Sequence, residues 1–152
     1  MKPIIDPDFG IVYTQFYHKP YEAMMHLRKV KGGICKAAFY RRDIGDVDVA
    51  WGDPDEDTGY GLSHIIATHE KELAQIHQTV EGMIQLVFKF GKKDEDIRGV
   101  KITLTGANYQ LILKMEWNNV RRNNALLLSA FDLRPIAVKN PKRAKKLAKR
   151  KR

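Results

Sequence analysis

Two imidazoles, His64 and His69, fall in one short stretch, Gly61-Leu62-Ser63-His64-Ile65-Ile66-Ala67-Thr68-His69, which follows Trp51-Gly52 and an acidic turn. An ordinary histidine keeps both its acid and its base form available near neutral pH, so a pair can take a proton from one oxygen and give one to another. Cleaving RNA by a metal-free route needs such a pair. A base takes the 2′-hydroxyl proton, an acid protonates the leaving 5′-oxygen, and Lys, Arg, Ser or backbone donors surround the pentavalent phosphorane. Lys114, Arg121, Arg122 and Ser129 are residues of that donor type. Spacing sets a condition. Residues five apart on a continuous helix diverge by about 140°, so His64 and His69 share a site only if the helix breaks near Thr68 or one of them stands at a helical end. Each residue also has a plainer reading. His69 is then a cap or first-turn residue of a long helix, Lys114 a snorkelling strand lysine, Ser129 a satisfied core hydroxyl, and Arg121 and Arg122 solvated loop charges.

The elements that must position these groups read as follows. Residues 1–18 mix Pro3, Asp6, Pro7, Asp8 and Gly10 with apolar residues, the pattern of an extended arm or short strand. Pro20 to Val30 has helical spacing with proline in its first turn, and Gly32-Gly33 ends it. Its His26 is expected at the helix surface. Ile34–Tyr40 and Ile44–Trp51 read as strands; in the second, Val47, Val49 and Trp51 alternate with Asp46, Asp48 and Ala50, the period-two pattern of a half-buried strand. A helix is expected to begin near Leu62. Leu73, Ile76, Val80, Ile84 and Val87 then recur at three- and four-residue steps, predicting one long amphipathic helix from about Glu70 to about Phe88, with His77 packed on or beside its stripe. Gly91 to Asp96 reads as a loop. Val100–Leu104 and Tyr109–Trp117 alternate as strands, Asn118–Asn124 reads as a polar loop, and Ala125–Phe131 is apolar on both faces, as a central strand is. Helices first and antiparallel strands later predict an α+β domain with N-terminal helices packed on an antiparallel sheet. It spans residues 1–138, with 1–18 as its arm.

Two metal motifs fail on spacing. Asp53, Asp55 and Asp57 sit at the first, third and fifth places of an EF-hand loop, but the place requiring glycine holds Thr58 and the closing glutamate is replaced by His64. His69-Glu70-Lys71-Glu72-Leu73 lacks the second histidine of a zinc helix. No metal and no cofactor is expected. Cys35, alone and in an apolar run, reads as a small buried thiol in a reducing compartment. No apolar run approaches a membrane span and residues 1–18 lack the apolar core of a signal peptide, so no membrane partner is expected.

The formal charge of +9 has one source: residues 139–152 hold nine of the 27 lysines and arginines and no acid, leaving eighteen bases against eighteen acids in the rest of the chain. The body is neutral, so basicity does not argue for a positive cleft there. The segment reads as a disordered tail whose Lys142, Arg143, Lys145 and Lys146 can meet RNA phosphates. Nine contacts to a single strand would give a log–log salt slope of about −6.

Gly45-Asp46-Val47-Asp48-Val49-Ala50-Trp51-Gly52, then Gly61-Leu62-Ser63-His64-Ile65-Ile66 and His69, resembles the phage and bacterial nuclease-like domains grouped with barnase, EndoU, colicin and RelE ribonucleases. Leu113-Lys114-Met115-Glu116-Trp117, a polar loop, and Leu127-Leu128-Ser129-Ala130-Phe131 is similar to that family's closing hairpin. The resemblance runs over about residues 30–133. It implies an α+β, metal-independent endoribonuclease, phage-encoded or a toxin, acting on RNA in the cytoplasm of a host cell or packaged in a virion. An immunity protein or a virion component is the implied protein partner. The family's helix-end histidine falls on His69, the implied general acid or base with His64 beside it, and its last-strand threonine falls on Ser129, while Lys114 matches loosely. Thr68 departs from the pattern, since a basic residue often stands there. The rival expectation is a non-catalytic nucleic-acid-binding or virion-associated protein that grips through its tail.

Overall fold

The computed structural model describes residues 2–133 apart from 98, 105 and 107; the basic tail, with Lys142, Arg143, Lys145 and Lys146, lies outside the described residues. The elements in chain order are β1 Ile5–Asp6, β2 Gly10–Tyr13, α1 Pro20–Val30, β3 Ile34–Arg41, β4 Gly45–Ala50, α2 Gly61–Gln75, α3 Val80–Phe90, β5 Lys92–Asp96, β6 Gly99–Leu104, β7 Tyr109–Trp117 and β8 Val120–Asp132. The strands form one eight-stranded sheet in the order β1-β2-β3-β4-β8-β7-β6-β5. The α+β class stands, but the sheet is mixed rather than antiparallel, because β2 runs parallel to β3 and β4 parallel to β8. α2 and α3 supply the long crossover that carries the chain from β4, in the middle of the sheet, to β5 at its edge.

All three helices cover one face. α1 presents Ala23, Met24 and Leu27, α2 Leu62, Ile65 and Leu73, and α3 Val80, Met83, Ile84, Val87 and Phe88, against Val47, Val49, Leu111, Leu113 and Leu127 of the sheet. Fully burying each large aliphatic chain contributes about 1.5–3 kcal/mol. Arg28 of α1 joins the helices, 2.8 Å from Glu81 of α3 and 2.8 Å from Glu70 of α2. Burial opposes its charge, but those two carboxylates outweigh it and raise the guanidinium above its ordinary value. The opposite face is only partly covered, by Phe9, Ile34, Ala50 and Leu126 with Tyr60 and Trp117 against them.

Four local expectations are corrected. The long helix over 70–88 is two helices, because the amides of Ile76, His77 and Gln78 turn back to carbonyls of Leu73 and Ala74, and Thr79 caps a new helix by accepting from Gly82 N at 2.9 Å. His77 is therefore an exposed residue of that turn, at φ 58, and not a packed member of an apolar stripe. Lys92–Asp96 is a strand, drawn into the sheet by pairing with β6. The polar loop shrinks to Asn118-Asn119, whose φ angles of 50 and 66 are those of a two-residue hairpin turn, and the rest extends β8.

The arm is built in. β1 and β2 form a hairpin whose second strand pairs with β3, and Phe9 is buried. His26 is half-buried, its ring edge-on to Tyr13 at 4.4 Å. Cys35 is buried as expected, and burial, with the Asp48 carboxylate adding, pushes its thiol up to about 12.

At the β4–α2 junction Gly52 has φ +76, and a Cβ there would sit on the carbonyl of Tyr60. Gly52→Ala is expected to cost about 1–3 kcal/mol, the left-handed penalty plus a backbone shift. Urea unfolding checks it: the midpoint should drop with the slope unchanged.

Candidate functional site

α2 runs unbroken through Thr68, whose hydroxyl bonds back to the carbonyl of His64. His64 and His69 therefore point to different sides, as the spacing on a continuous helix demands. His69 lies mid-helix on the buried face, at 7% exposure. Its Nε2 is 2.8 Å from the carbonyl oxygen of Ala130 and its Nδ1 is 2.6 Å from Glu72 Oε1. A carbonyl only accepts, so Nε2 carries a hydrogen and donates it, while Nδ1 faces the Glu72 carboxylate. Glu72 in turn accepts from the Tyr109 hydroxyl at 3.0 Å, and the His69 ring stands edge-on to Tyr109 at 5.7 Å. Both nitrogens are occupied by protein, so this imidazole binds α2 to β8 and β7.

His64 closes the acidic turn: its Nδ1 is 3.0 Å from the carbonyl oxygen of Asp55. The Asp55 carboxylate accepts from the amides of Thr58 and Asp57 and from the Thr58 hydroxyl, which holds it below the usual carboxylate range. A depressed folded-state value means the contribution to stability is complete above the ordinary value of 3.8 and is lost as the pH falls through the depressed one. The difference in melting temperature between wild type and Asp55→Ala is thus expected to be full at neutral pH and to vanish in strong acid. Calorimetry across that range measures it.

Ser129 faces away from His69. It is opposite Ile112 in the β7–β8 ladder, and alternation puts it on the sheet face without helices, whereas the next residue, Ala130, packs in the helix-side core. The structure brings His69 to the β8 backbone beside Ser129 but not to its hydroxyl. Lys114 is opposite Leu126 on that same open face.

That open face carries a charged constellation built on Asp48. Val47 and Val49 point to the helices, so Asp48 points the other way, and β3 and β8 on either side leave it 0% exposed. Its Oδ1 accepts from Ala37 N at 2.8 Å and Asn124 Nδ2 at 3.0 Å; its Oδ2 accepts from an Arg122 terminal nitrogen at 2.6 Å and Lys36 Nζ at 3.4 Å. One buried negative charge thus holds two cations, and the local balance is positive. Arg122 is fixed further by its Nε on the carbonyl of Asn124 at 3.4 Å and by the Phe9 ring 5.3 Å from its guanidinium carbon.

A cleft of about 510 Å³ opens above this group, lined by Lys36, Asp48, Trp117, Arg121, Arg122 and Asn124 among others. Trp117 packs against Phe9 at 5.0 Å and Tyr60 at 4.6 Å, which holds its ring at the cleft wall. A second cleft of about 410 Å³, lined by Lys114, Glu116, Trp117, Asn118 and Asn119, meets the first at Trp117. The volumes suit a nucleotide-sized ligand, and fixed cations beside an aromatic ring and side-chain amides suit a phosphate with its base. Asp8 marks the acidic rim. Burial and the carboxylates of Asp53, Asp8 and Asp6 raise the Tyr60 phenol, keeping it neutral there.

Of the residues picked from sequence, Lys114, Arg121 and Arg122 gather around Trp117, while His69, His64 and Ser129 lie apart from them. Lys36, Asp48 and Asn124 were missed. The one available signal was Asp48 itself, an acid flanked by Val47 and Val49 in the middle of a strand. Its partner Arg122 is 74 residues away and invisible to any local pattern.

Residues 38–135 match the family model of phage-Barnase-EndoU-ColicinE5/D-RelE like nuclease 1, a span that takes in Asp48, Lys114, Arg122 and Asn124 but not Lys36. Neither the curated proteins nor the solved structures give a match to this chain.

Proposed function

The chain belongs to the phage-Barnase-EndoU-ColicinE5/D-RelE like nuclease 1 family, a nuclease domain type, and from that premise we propose that it is a metal-independent endoribonuclease working on the open sheet face. The 2′-oxygen attacks the adjacent phosphorus and the 5′-oxygen leaves, giving a 2′,3′-cyclic phosphate. The observation that carries the reading is the pair of cations, Arg122 and Lys36, bound to a fully buried Asp48 at the floor of a cleft walled by Trp117. Pre-positioned donors of this kind stabilise the charge that develops on the phosphorane without reorganising during the reaction. Lys114 and Arg121 take neighbouring phosphates, and Trp117 stacks a base. His69, with both nitrogens in use, is a positioning residue for β8 in this scheme.

End-labelled RNA incubated with the protein in EDTA tests it. Cleavage persists, the new ends are a 2′,3′-cyclic phosphate and a 5′-hydroxyl, and DNA of the same sequence stays intact. Loss of cleavage on chelation, or equal cutting of DNA, overturns the proposal.

The nine positive charges of residues 139–152 favour a second reading, a nucleic-acid binder that leaves its ligand whole. Deleting 139–152 separates the two: a binder loses nearly all affinity, whereas the nuclease keeps turning over short RNA.

A further inference from the structure

The clefts beside Asp48 supply phosphate ligands, but among the described residues no histidine lines either of them. We propose that His18, held by Asp46 at the edge of the same sheet face, is the proton donor to the leaving 5′-oxygen. The inference rests on the ribonuclease reading and adds a catalytic residue to it. His18 lies outside the residues that match the family.

Three observations meet at this ring. First, Asp46 and Asp48 are two apart on β4, on the open side of Val47 and about 7 Å from each other along the strand. One carboxylate holds His18 and the other holds Lys36 and Arg122, so imidazole and cations sit at adjacent positions of one face. Second, the ring is fixed. Its Nε2 is 2.7 Å from Asp46 Oδ1, and it stacks between Tyr17 at 3.7 Å and Tyr40 at 4.8 Å. Third, the backbone is bent to present it. His18 has φ 56, a region a non-glycine residue enters at a cost, and its amide donates to the Ala37 carbonyl at 2.8 Å, next to Lys36.

The result is a histidine with one nitrogen engaged by a carboxylate and the other, Nδ1, without a protein partner among the described residues. Asp46 and Tyr40, a cross-strand pair, hold the ring toward the open face, while the cleft of about 390 Å³ on its other side, lined by Phe39, Tyr40 and Arg41 of β3 and by Gln85, Phe88 and Lys89 of α3, opens toward the helices. The groups facing the ring are thus Asp46, the two tyrosines, and the cations of that cleft. Arg41 is already tied to Asp43 at 2.9 Å and to the Phe88 carbonyl at 3.0 Å, and Lys89 lies 5.3 Å from the Phe90 ring centre. In the step, the 2′-oxygen forms its bond to phosphorus and its proton passes to solvent water. The bond from phosphorus to the 5′-oxygen breaks, and that oxygen takes the Nδ1 proton of the imidazolium, whose charge Asp46 balances. Solvent reprotonates the ring.

The test compares wild type with His18→Asn, which tolerates the left-handed backbone, and with His18→Ala, on two RNAs. One is ordinary; the other carries sulfur in place of the leaving 5′-oxygen and needs no proton to depart. The expected result, at a temperature where every variant is folded, is a loss of about 10²-fold or more on ordinary RNA, near-wild-type cleavage of the sulfur substrate, and unchanged RNA binding. Asp46→Asn should slow the ordinary substrate and spare the sulfur one. An active wild type with His18→Asn equally active on ordinary RNA, or slowed alike on both substrates, overturns the role of His18. A wild type that cuts neither substrate overturns the ribonuclease reading itself, and the role of His18 with it.

Discussion

Asp48→Ala is expected to lower the unfolding free energy by about 3–5 kcal/mol, the range for breaking a buried charge pair by removing one partner. The carboxylate is 0% exposed and receives four donors, from Ala37, Asn124, Arg122 and Lys36. Deleting it orphans a backbone amide and a side-chain amide and leaves two cations facing each other. The loss is not recovered by Asp48→Asn, because the amide keeps one acceptor oxygen, loses the charge, and turns its own hydrogens on Arg122 and Lys36, which can only donate. Urea unfolding gives the number, and a double-mutant cycle of Asp48 with Arg122 should show coupling of about 1–3 kcal/mol. Additivity of the two substitutions would mean that the 2.6 Å contact carries no energy of its own.

Arg122 carries the second large effect, on activity. Arg122→Lys is the informative change, since it keeps the charge that balances Asp48 and removes the planar fork that can hold carboxylate and phosphate together. RNA cleavage should fall by about 10²–10³-fold, the usual consequence of losing one pre-positioned donor to the transition state. Arg122→Ala should fall at least as far and also lose stability, because it leaves the Asp48 charge short of a partner. Arg121→Ala and Lys114→Ala, on groups at the rims of the clefts, should cost no more than about tenfold each. Single-turnover rates on one labelled RNA, taken well below each variant's melting temperature, rank the four.

The elements of this fold were legible where a periodic stripe met a stop signal. Pro20 to Val30 reads directly, because proline opens it and the Gly32-Gly33 pair closes it, and the strands ending at Trp51 and at Trp117 read from their alternation. What failed did so for local reasons. Leu73, Ile76, Val80 and Ile84 keep helical spacing across a break, so periodicity alone runs through it; only Thr79, a capping residue three before Gly82, marks the new start. The parallel pairings of β2 with β3 and β4 with β8 are long-range choices that leave no trace in any single segment.

The site was less legible than the fold. A histidine attracts notice for its chemistry, but His69 carries apolar neighbours at helical spacing, and the structure spends both its nitrogens on Glu72 and Ala130. Arg121 and Arg122 read alike as loop residues. Extension of β8 back to Val120 turns Arg122 onto the open face against Asp48. Lys36 and Asp48 belong to strands that read as plain half-buried elements, and their meeting depends on the β3–β4 pairing.

The account's central claim is that RNA lies on the open face over Asp48 and not against the helices. Amide chemical-shift mapping with a short RNA, 2′-O-methylated so that it stays uncut, tests this most directly. The account predicts that the largest shifts fall on Lys36, Trp117, Arg122 and Asn124, with His18 at their edge. Shifts gathered instead on α2 and α3, with those residues unmoved, would contradict it.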